Sequence, residues 1–196
     1  VDCNKVKVVG NKVYTDGILD FGSVVKGYSG DKVEEYLKSK GVKSALLNLG
    51  GNIQLIGKKP SGEQFVIGLA RPEIHNDNEN MAVIKMNDIA FVTSGINQRF
   101  FEEKGKLYHH IIDANDGYPS DNNLGSVSIY TKKGINADLL STAIFLLGLD
   151  KGMEVVNKLD GVDAIFVTRD KKVYSTLKDA KVEIVDDTYT LEEYKK

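Results

Sequence analysis

In the stretch "NADLLSTAIFLLGL", residues 136–149, Asp138 and Thr142 stand four apart. On a helix that spacing stacks a carboxylate and a hydroxyl on one side. Both are hard oxygen donors, the kind Mg²⁺ takes, with one or two protein carboxylates supplemented by hydroxyl, carbonyl, water and substrate phosphates. A second reading stays open. Asn136 caps the helix, Asp138 answers its dipole, and Thr142 bonds back to a carbonyl of the preceding turn.

A second candidate lies at "DFGSVVKGY", residues 20–28, where Asp20, the amides of Gly22 and Ser23, and the Lys26 ammonium surround a helix start. Free N–H groups and the dipole favour anions there. The segment is no Walker A loop, since Gly27 is followed by Tyr28 rather than by Lys and a hydroxyl residue. The other available reading is a glycine-opened amphipathic helix with Lys26 on its surface. In "YHHIID", residues 108–113, strand geometry sends His109 and His110 to opposite faces, so at most one faces any pocket. The glycine pair of "NLGGN", residues 48–52, means a bulge, a tight bend or a close backbone approach.

Other chemistries are excluded. There is no GxSxG elbow and no HExxH pair. The single cysteine, Cys3, forbids an internal disulfide or multi-cysteine zinc site, and lies in a segment expected to fray. The 26 basic and 28 acidic residues are interspersed, which gives no electrostatic footprint for nucleic acid. No apolar run reaches 18 residues, and no basic start with an apolar stretch precedes Cys3.

These candidates need elements to position them. The spacing of Val24, Val25, Tyr28, Val33, Tyr36 and Leu37 predicts a helix over residues 23–40 that ends at Gly41. "SALLNLGGNIQLIG" and "EQFVIGLARP" are strand-like runs whose "KKPSGE" connection predicts a hairpin. Strands are predicted at "MAVIKMN", "IAFVTSG", "QRFFEE", "KLYHHIID" and "GSVSIYT", with "EKGK" as a second hairpin turn. Helices follow at "INADLLSTAIFLLGL" and "KGMEVVNKL", then a hairpin of "DAIFVTR" and "KVYST" turning at Asp170 and Lys171. "PEIHNDNEN" reads as a polar surface loop and "DDTYTLEEYKK" as a charged tail. Strands outnumber helices without alternating with them. The expectation is an α+β fold, antiparallel and β-rich with packed helices, in one domain over residues 1–196.

Taken together, five segments resemble the ApbE family of FAD:protein FMN transferases. They are "LDFGSVVKGYSGDKV", "SALLNLGGNIQLIGKKPSGEQFVIGLARP", "VTSGINQRFFEEKGKLYHHIID", "GYP" and "ADLLSTAIFLLG", in the family's order. The resemblance implies a T-fold-like α+β architecture and a reaction that joins FMN from FAD to a Thr or Ser hydroxyl of a target protein, releasing AMP. Two alternatives are an FAD pyrophosphatase yielding FMN and AMP, and a catalytically silent flavin-binding domain. It further implies that Asp138, Thr142 and the Ser23 carbonyl bind Mg²⁺, and that Asp20, Lys26 and Ile112 touch the flavin nucleotide. His110 matches the family's histidine before "IID", for assisting proton transfer or positioning nucleotide. Ala114, Asp116, Ile96 and Asn97 depart from the usual pattern. The implied setting is extracytoplasmic, a lipoprotein in full-length form acting on a partner such as a subunit of a membrane redox complex. This chain is expected to correspond to the C-terminal two-thirds of the family, without its N-terminal portion. Since Asp138 stands near a helix start, Asp138→Ala is expected to abolish Mg²⁺-dependent turnover with little loss of fold.

Overall fold

The computed structural model describes residues 3–73, 79–178 and 180–195. After a short 3-10 turn the elements run β1 (Val6–Val9), β2 (Lys12–Thr15), α1 (Val25–Ser39), β3 (Ser44–Leu49), β4 (Asn52–Gly57), β5 (Phe65–Ala70), β6 (Asn80–Met86) and β7 (Ala90–Gly95). There follow β8 (Phe100–Glu103), β9 (Lys106–His109), β10 (Leu124–Thr131), α2 (Gly134–Val156), β11 (Val162–Thr168), β12 (Lys172–Ser175), β13 (Val182–Ile184) and β14 (Thr190–Glu192). A seven-stranded sheet in the order β14-β12-β11-β10-β7-β4-β3 forms the middle layer. It is antiparallel except where β12 meets β14. The helices cover one face and the small sheet β13-β6-β5 the other. The α+β expectation is met.

Pleat alternation builds two cores from single strands. In β10, Val127 and Ile129 face the helix side, where they meet Ile144 and Phe145 of α2, while Tyr130 faces the small sheet and stacks on Phe91 at 4.8 Å. Because both faces are covered, all eight β10 residues are buried. The same alternation turns Val92 of β7 and Ile96 just beyond it toward α2, and so brings Ser94 to the hydroxyls of Ser141 and Thr142.

Several local expectations are corrected. The first hairpin is β3 with β4, closed at Gly50 and Gly51, whose φ values of 61° and 93° suit a two-residue turn that only glycine adopts easily. "KKPSGE" instead carries the chain between sheets, because β5 pairs with β6. Helix α1 starts two residues later than predicted and turns its Val25, Tyr28, Val33 and Tyr36 outward. It buries Gly27, Gly30 and Asp31, since small residues let the backbones close in. The two helices expected over residues 135–159 form one element broken at Gly148, where φ is 75°. The charged tail holds the short strand β14 and ends near Tyr194, which donates to Asp150 at 2.8 Å. The exposed pair β1–β2 has no counterpart in the predicted elements. The polar loop expected at residues 72–80 lies mostly on residues 74–78, outside the described residues. No helix among the described residues is long and apolar enough to cross a membrane.

Candidate functional site

A cavity of about 690 Å³ opens where the N-terminal ends of both helices meet the end of β7 and the segment after β9. Asp20, Ser23, Lys26, His110, Ile112, Asp138 and Thr142 all line it. Residues scattered over more than a hundred positions thus surround one space.

The α1 side is built by a tight turn. Asp20 accepts the Gly22 amide at 2.6 Å through Oδ1, and the Phe21 carbonyl accepts Val24 and Val25 N–H at 3.0 Å, which starts the helix and sets Ser23 and Lys26 at its mouth. The opposing side is α2. Asn136 does not cap it, because the helix begins two residues earlier, at Gly134, after an N-cap, Lys133, that makes no side-chain bond. The first turn is capped by the other helix: Asp31 accepts the amides of Gly134 at 2.7 Å and Ile135 at 3.1 Å. In return, Asp138 accepts the Gly27 amide of α1 at 2.9 Å through Oδ2. The glycines let the backbones touch. A Cβ on Gly27 would lie 2.1 Å from the Gly134 carbonyl oxygen, and one on Gly134 would lie 2.7 Å from that of Gly27.

Asp138 is therefore a buried cap, 4% exposed, and not merely a residue near a helix start. Its removal would cost α1 a cap, so the reason given for expecting little loss of fold, a place merely near a helix start, is corrected. Thr142 does not bond back along its helix. That bond is made by Ser141, which donates to the Asp138 carbonyl at 2.9 Å. Ser141 has spent its one proton there, so Ser94 must donate to Ser141 at 2.8 Å, and Thr142 to Ser94 at 3.1 Å. The Thr142 oxygen is left as an acceptor toward the cavity. Among the described residues no group of three or more His, Cys, Asp or Glu side chains gathers as a metal cluster. The oxygen donors here are instead the Asp138 carboxylate and the Thr142 hydroxyl, with Ser23 lining the same cavity, a set that fits a hard cation keeping water or substrate oxygens.

The two histidines part as strand geometry predicts. His109 is 3% exposed, its Nε2 donating to the Ser120 carbonyl at 3.1 Å and its Nδ1 accepting the Ile111 amide at 3.3 Å, with its ring edge-on to Phe145. Burial lowers its pKa from the ordinary value, so the neutral ring is kept. His110 points the other way, into the cavity. Its Nδ1 donates to the Arg99 carbonyl at 3.2 Å, which places the proton there and leaves Nε2 as the basic nitrogen of the neutral ring. Ile112 follows, fixed by a bridge to Pro119 and 46% exposed.

Asp31, Ser94, Gln98 and Arg99 were missed in the sequence. Arg99 and Gln98 stand in "QRFFEE", where only strand character was legible, yet both line the cavity, and Arg99 adds a second cation to Lys26. Of the unusual residues after "TSG", Ile96 packs into the helix-side core and Asn97 donates to the Arg71 carbonyl at 3.0 Å.

Known proteins resemble this chain in sequence and in fold. The family model described as ApbE matches residues 1–166. The FAD:protein FMN transferase of Klebsiella pneumoniae (strain 342) is 37% identical over 155 residues, 79% of this chain and 47% of its own length. That of Treponema pallidum (strain Nichols) is 36% identical over 184 residues, 89% of this chain and 50% of its own. The chain thus spans about half the length of the curated relatives it matches. The crystal structure of Pseudomonas stutzeri flavinyl transferase ApbE in its apo form superimposes with a TM-score of 0.71 at 30% identity, covering 85% of this chain and 51% of that one. An ApbE protein from Thermotoga maritima gives 0.75 at 28% identity, covering 92% and 57%.

Proposed function

Because the chain belongs to the ApbE family, we propose that it transfers FMN from FAD to a Thr or Ser hydroxyl of a target protein in a Mg²⁺-dependent reaction that releases AMP. The carrying observation is the convergence of Asp20, Ser23, Lys26, His110, Ile112, Asp138 and Thr142 on one cavity large enough for a dinucleotide's reacting end.

Mg²⁺ would be held by the Ser23 carbonyl, the Asp138 carboxylate and the Thr142 oxygen, and when bound supplies charge neutralisation at the pyrophosphate. Lys26 and Arg99 meet the remaining phosphate charge, Asp20 orients the nucleotide, and Ile112 offers apolar surface to the flavin side. His110 Nε2 accepts the proton of the target hydroxyl as its oxygen bonds to the FMN phosphorus. The bond from that phosphorus to the bridging oxygen breaks, and AMP leaves with the electron pair. An extracytoplasmic, lipid-anchored setting for the full-length form belongs to the same proposal and rests on the family resemblance.

The test is incubation of the chain with FAD, Mg²⁺ and an acceptor protein, followed by denaturing electrophoresis and nucleotide chromatography. A fluorescent acceptor band with AMP is expected. FMN and AMP released equally without acceptor would replace transfer by hydrolysis, and absence of AMP in both conditions would overturn the reading.

A further inference from the structure

Two short segments far apart in the chain have one pattern: "GYSGD" at residues 27–31 and "GINAD" at residues 134–138. Each is the start of a helix, with a glycine in the first turn and an aspartate one turn later. Each aspartate bonds the amide of the other segment's glycine, Asp31 to Gly134 at 2.7 Å and Asp138 to Gly27 at 2.9 Å. The two halves are related as by a local twofold, and the glycines meet where they cross. We infer that these segments form a reciprocal clasp in which Asp31 is a positioning residue for the cation site, holding the Asp138 carboxylate at the cavity wall. This rests on the function proposed above.

The two halves differ in how much of each carboxylate is spent. Asp31 uses both oxygens on α2, Oδ1 on Gly134 and Oδ2 on Ile135, and Gln54 lies 3.5 Å from Oδ1. It is 6% exposed and faces away from the cavity. Asp138 spends Oδ2 alone on Gly27, and its residue borders the open space. A buried carboxylate aimed by one fixed amide bond presents its other oxygen in one direction only. That amide belongs to α1, whose place against α2 is fixed by Asp31. The chain of dependence therefore runs from Asp31 through the α2 start and the glycine contact to Asp138, and on the α1 side to Ser23, two residues ahead of the helix. Residues that orient a metal ligand in this way set affinity by about 10- to 100-fold.

The experiment titrates Mn²⁺, observed by electron paramagnetic resonance in the absence of FAD, into the parent chain and into Asp31→Asn, Asp138→Ala and Glu35→Gln. Asparagine keeps the volume but turns an N–H group toward one α2 amide. Asp31→Asn is expected to weaken Mn²⁺ at least tenfold while circular dichroism stays native, Asp138→Ala to remove the site, and Glu35→Gln, an exposed neighbour on α1, to leave affinity unchanged. A folded Asp31→Asn chain that binds like the parent overturns the clasp as a positioning device yet leaves the cation site standing. A parent chain that binds no better than Asp138→Ala overturns the cation site itself and the inference with it. Should Asp31→Asn fail to fold, hydrogen exchange of the parent decides: Mg²⁺ is expected to slow exchange at Gly134 and Ile135 as well as at Gly27, and slowing confined to Gly27 overturns the coupling.

Discussion

Two polar regions on this molecule differ in what their charges face. At the helix crossing, Asp31 and Asp138 are satisfied by backbone amides, and the hydroxyls of Ser94, Ser141 and Thr142 are ordered in a chain that ends on an open lone pair. Across the fold, where the segments after β5 and β13 meet Lys171 of the turn between β11 and β12, the carboxylates face cations. Arg71 pairs with Glu79 at 2.6 Å and Asp186 at 2.7 Å, and Lys171 with Glu73 at 3.2 Å, while the Tyr189 hydroxyl donates to Glu73 at 2.5 Å. A cleft of about 230 Å³ borders that second region too. The difference teaches that a hollow beside charges is not enough. At the crossing Asp138 spends one oxygen on an amide and keeps the other for a cation, whereas Asp31 and the ion-paired carboxylates are spent on the fold.

The comparison breaks most visibly at Asp138. Asp138→Ala removes the carboxylate from the proposed cation set and is expected to lower FMN transfer by at least about 100-fold, consistent with the loss of a metal ligand. It also leaves the Gly27 amide unpaired, so stability should fall by about 1–2 kcal/mol, the size of a lost N-terminal cap. Transfer assays beside thermal melts check both. Full turnover in the variant would place the cation elsewhere.

The histidines divide the same way on a smaller scale. His110→Ala is expected to lower kcat by about 10² with an unchanged melting temperature, because its ring is exposed and makes one bond. His109→Ala should cost about 2–4 kcal/mol by opening a gap beside Phe145 and orphaning the Ser120 carbonyl. Since burial depresses its pKa, the stability His109 lends is complete above about pH 6.5 and is lost as pH falls from there through its lower folded value. If both variants melted alike, the division into core and cavity faces would be wrong.

How far these outcomes could be foreseen differs residue by residue. His109 and His110 were separable because a strand has only two faces. Asp138 and Thr142 shared a side by spacing, but Ser94, which bonds Thr142, and Asp31, which bonds the start of their helix, did not show, since such bonds link positions 48 and more than 100 apart. The outward stripe of α1 shows a related limit. Periodicity says which residues share a side, not which side is covered, and the buried side is the one with Gly27 and Gly30. In "NLGGN" the glycine pair was the stronger hairpin signal than the longer "KKPSGE", because two successive left-handed residues close a two-residue turn. Strands β13 and β14, three residues each with one of them charged, carry too little alternation to register.

At the paired region effects should fall on stability alone. Tyr189→Phe deletes the hydroxyl bonded to Glu73, whose other oxygen keeps Lys171, and is expected to cost about 1.5 kcal/mol with FMN transfer unchanged. Loss of transfer at full folding would mean that this region serves the site after all.

The smallest expected effect is set by acid at the same turn. Hydrogen bonds from the Thr168 hydroxyl and the Asn123 amide, with Lys172 beside them, hold the Asp170 carboxyl down to about 2. An unfolded aspartate titrates near 3.9, so the unfolded chain takes up the proton first as pH falls. The stabilisation is complete above about pH 4 and drains away toward pH 2. Asp170→Asn should therefore melt slightly below the parent at pH 5, and the gap should close on acidification. Because Asp170 is exposed and salt screens its pairs, the gap should also narrow as ionic strength rises. FMN transfer at pH 7 should not respond, since Asp170 lies on the turn whose neighbour Lys171 reaches Glu73, outside the lining of the cavity that holds Asp138. A gap that persists unchanged to pH 2 would mean that the carboxyl is not held by those donors, and the paired region would lose one of the contacts that mark it as structural.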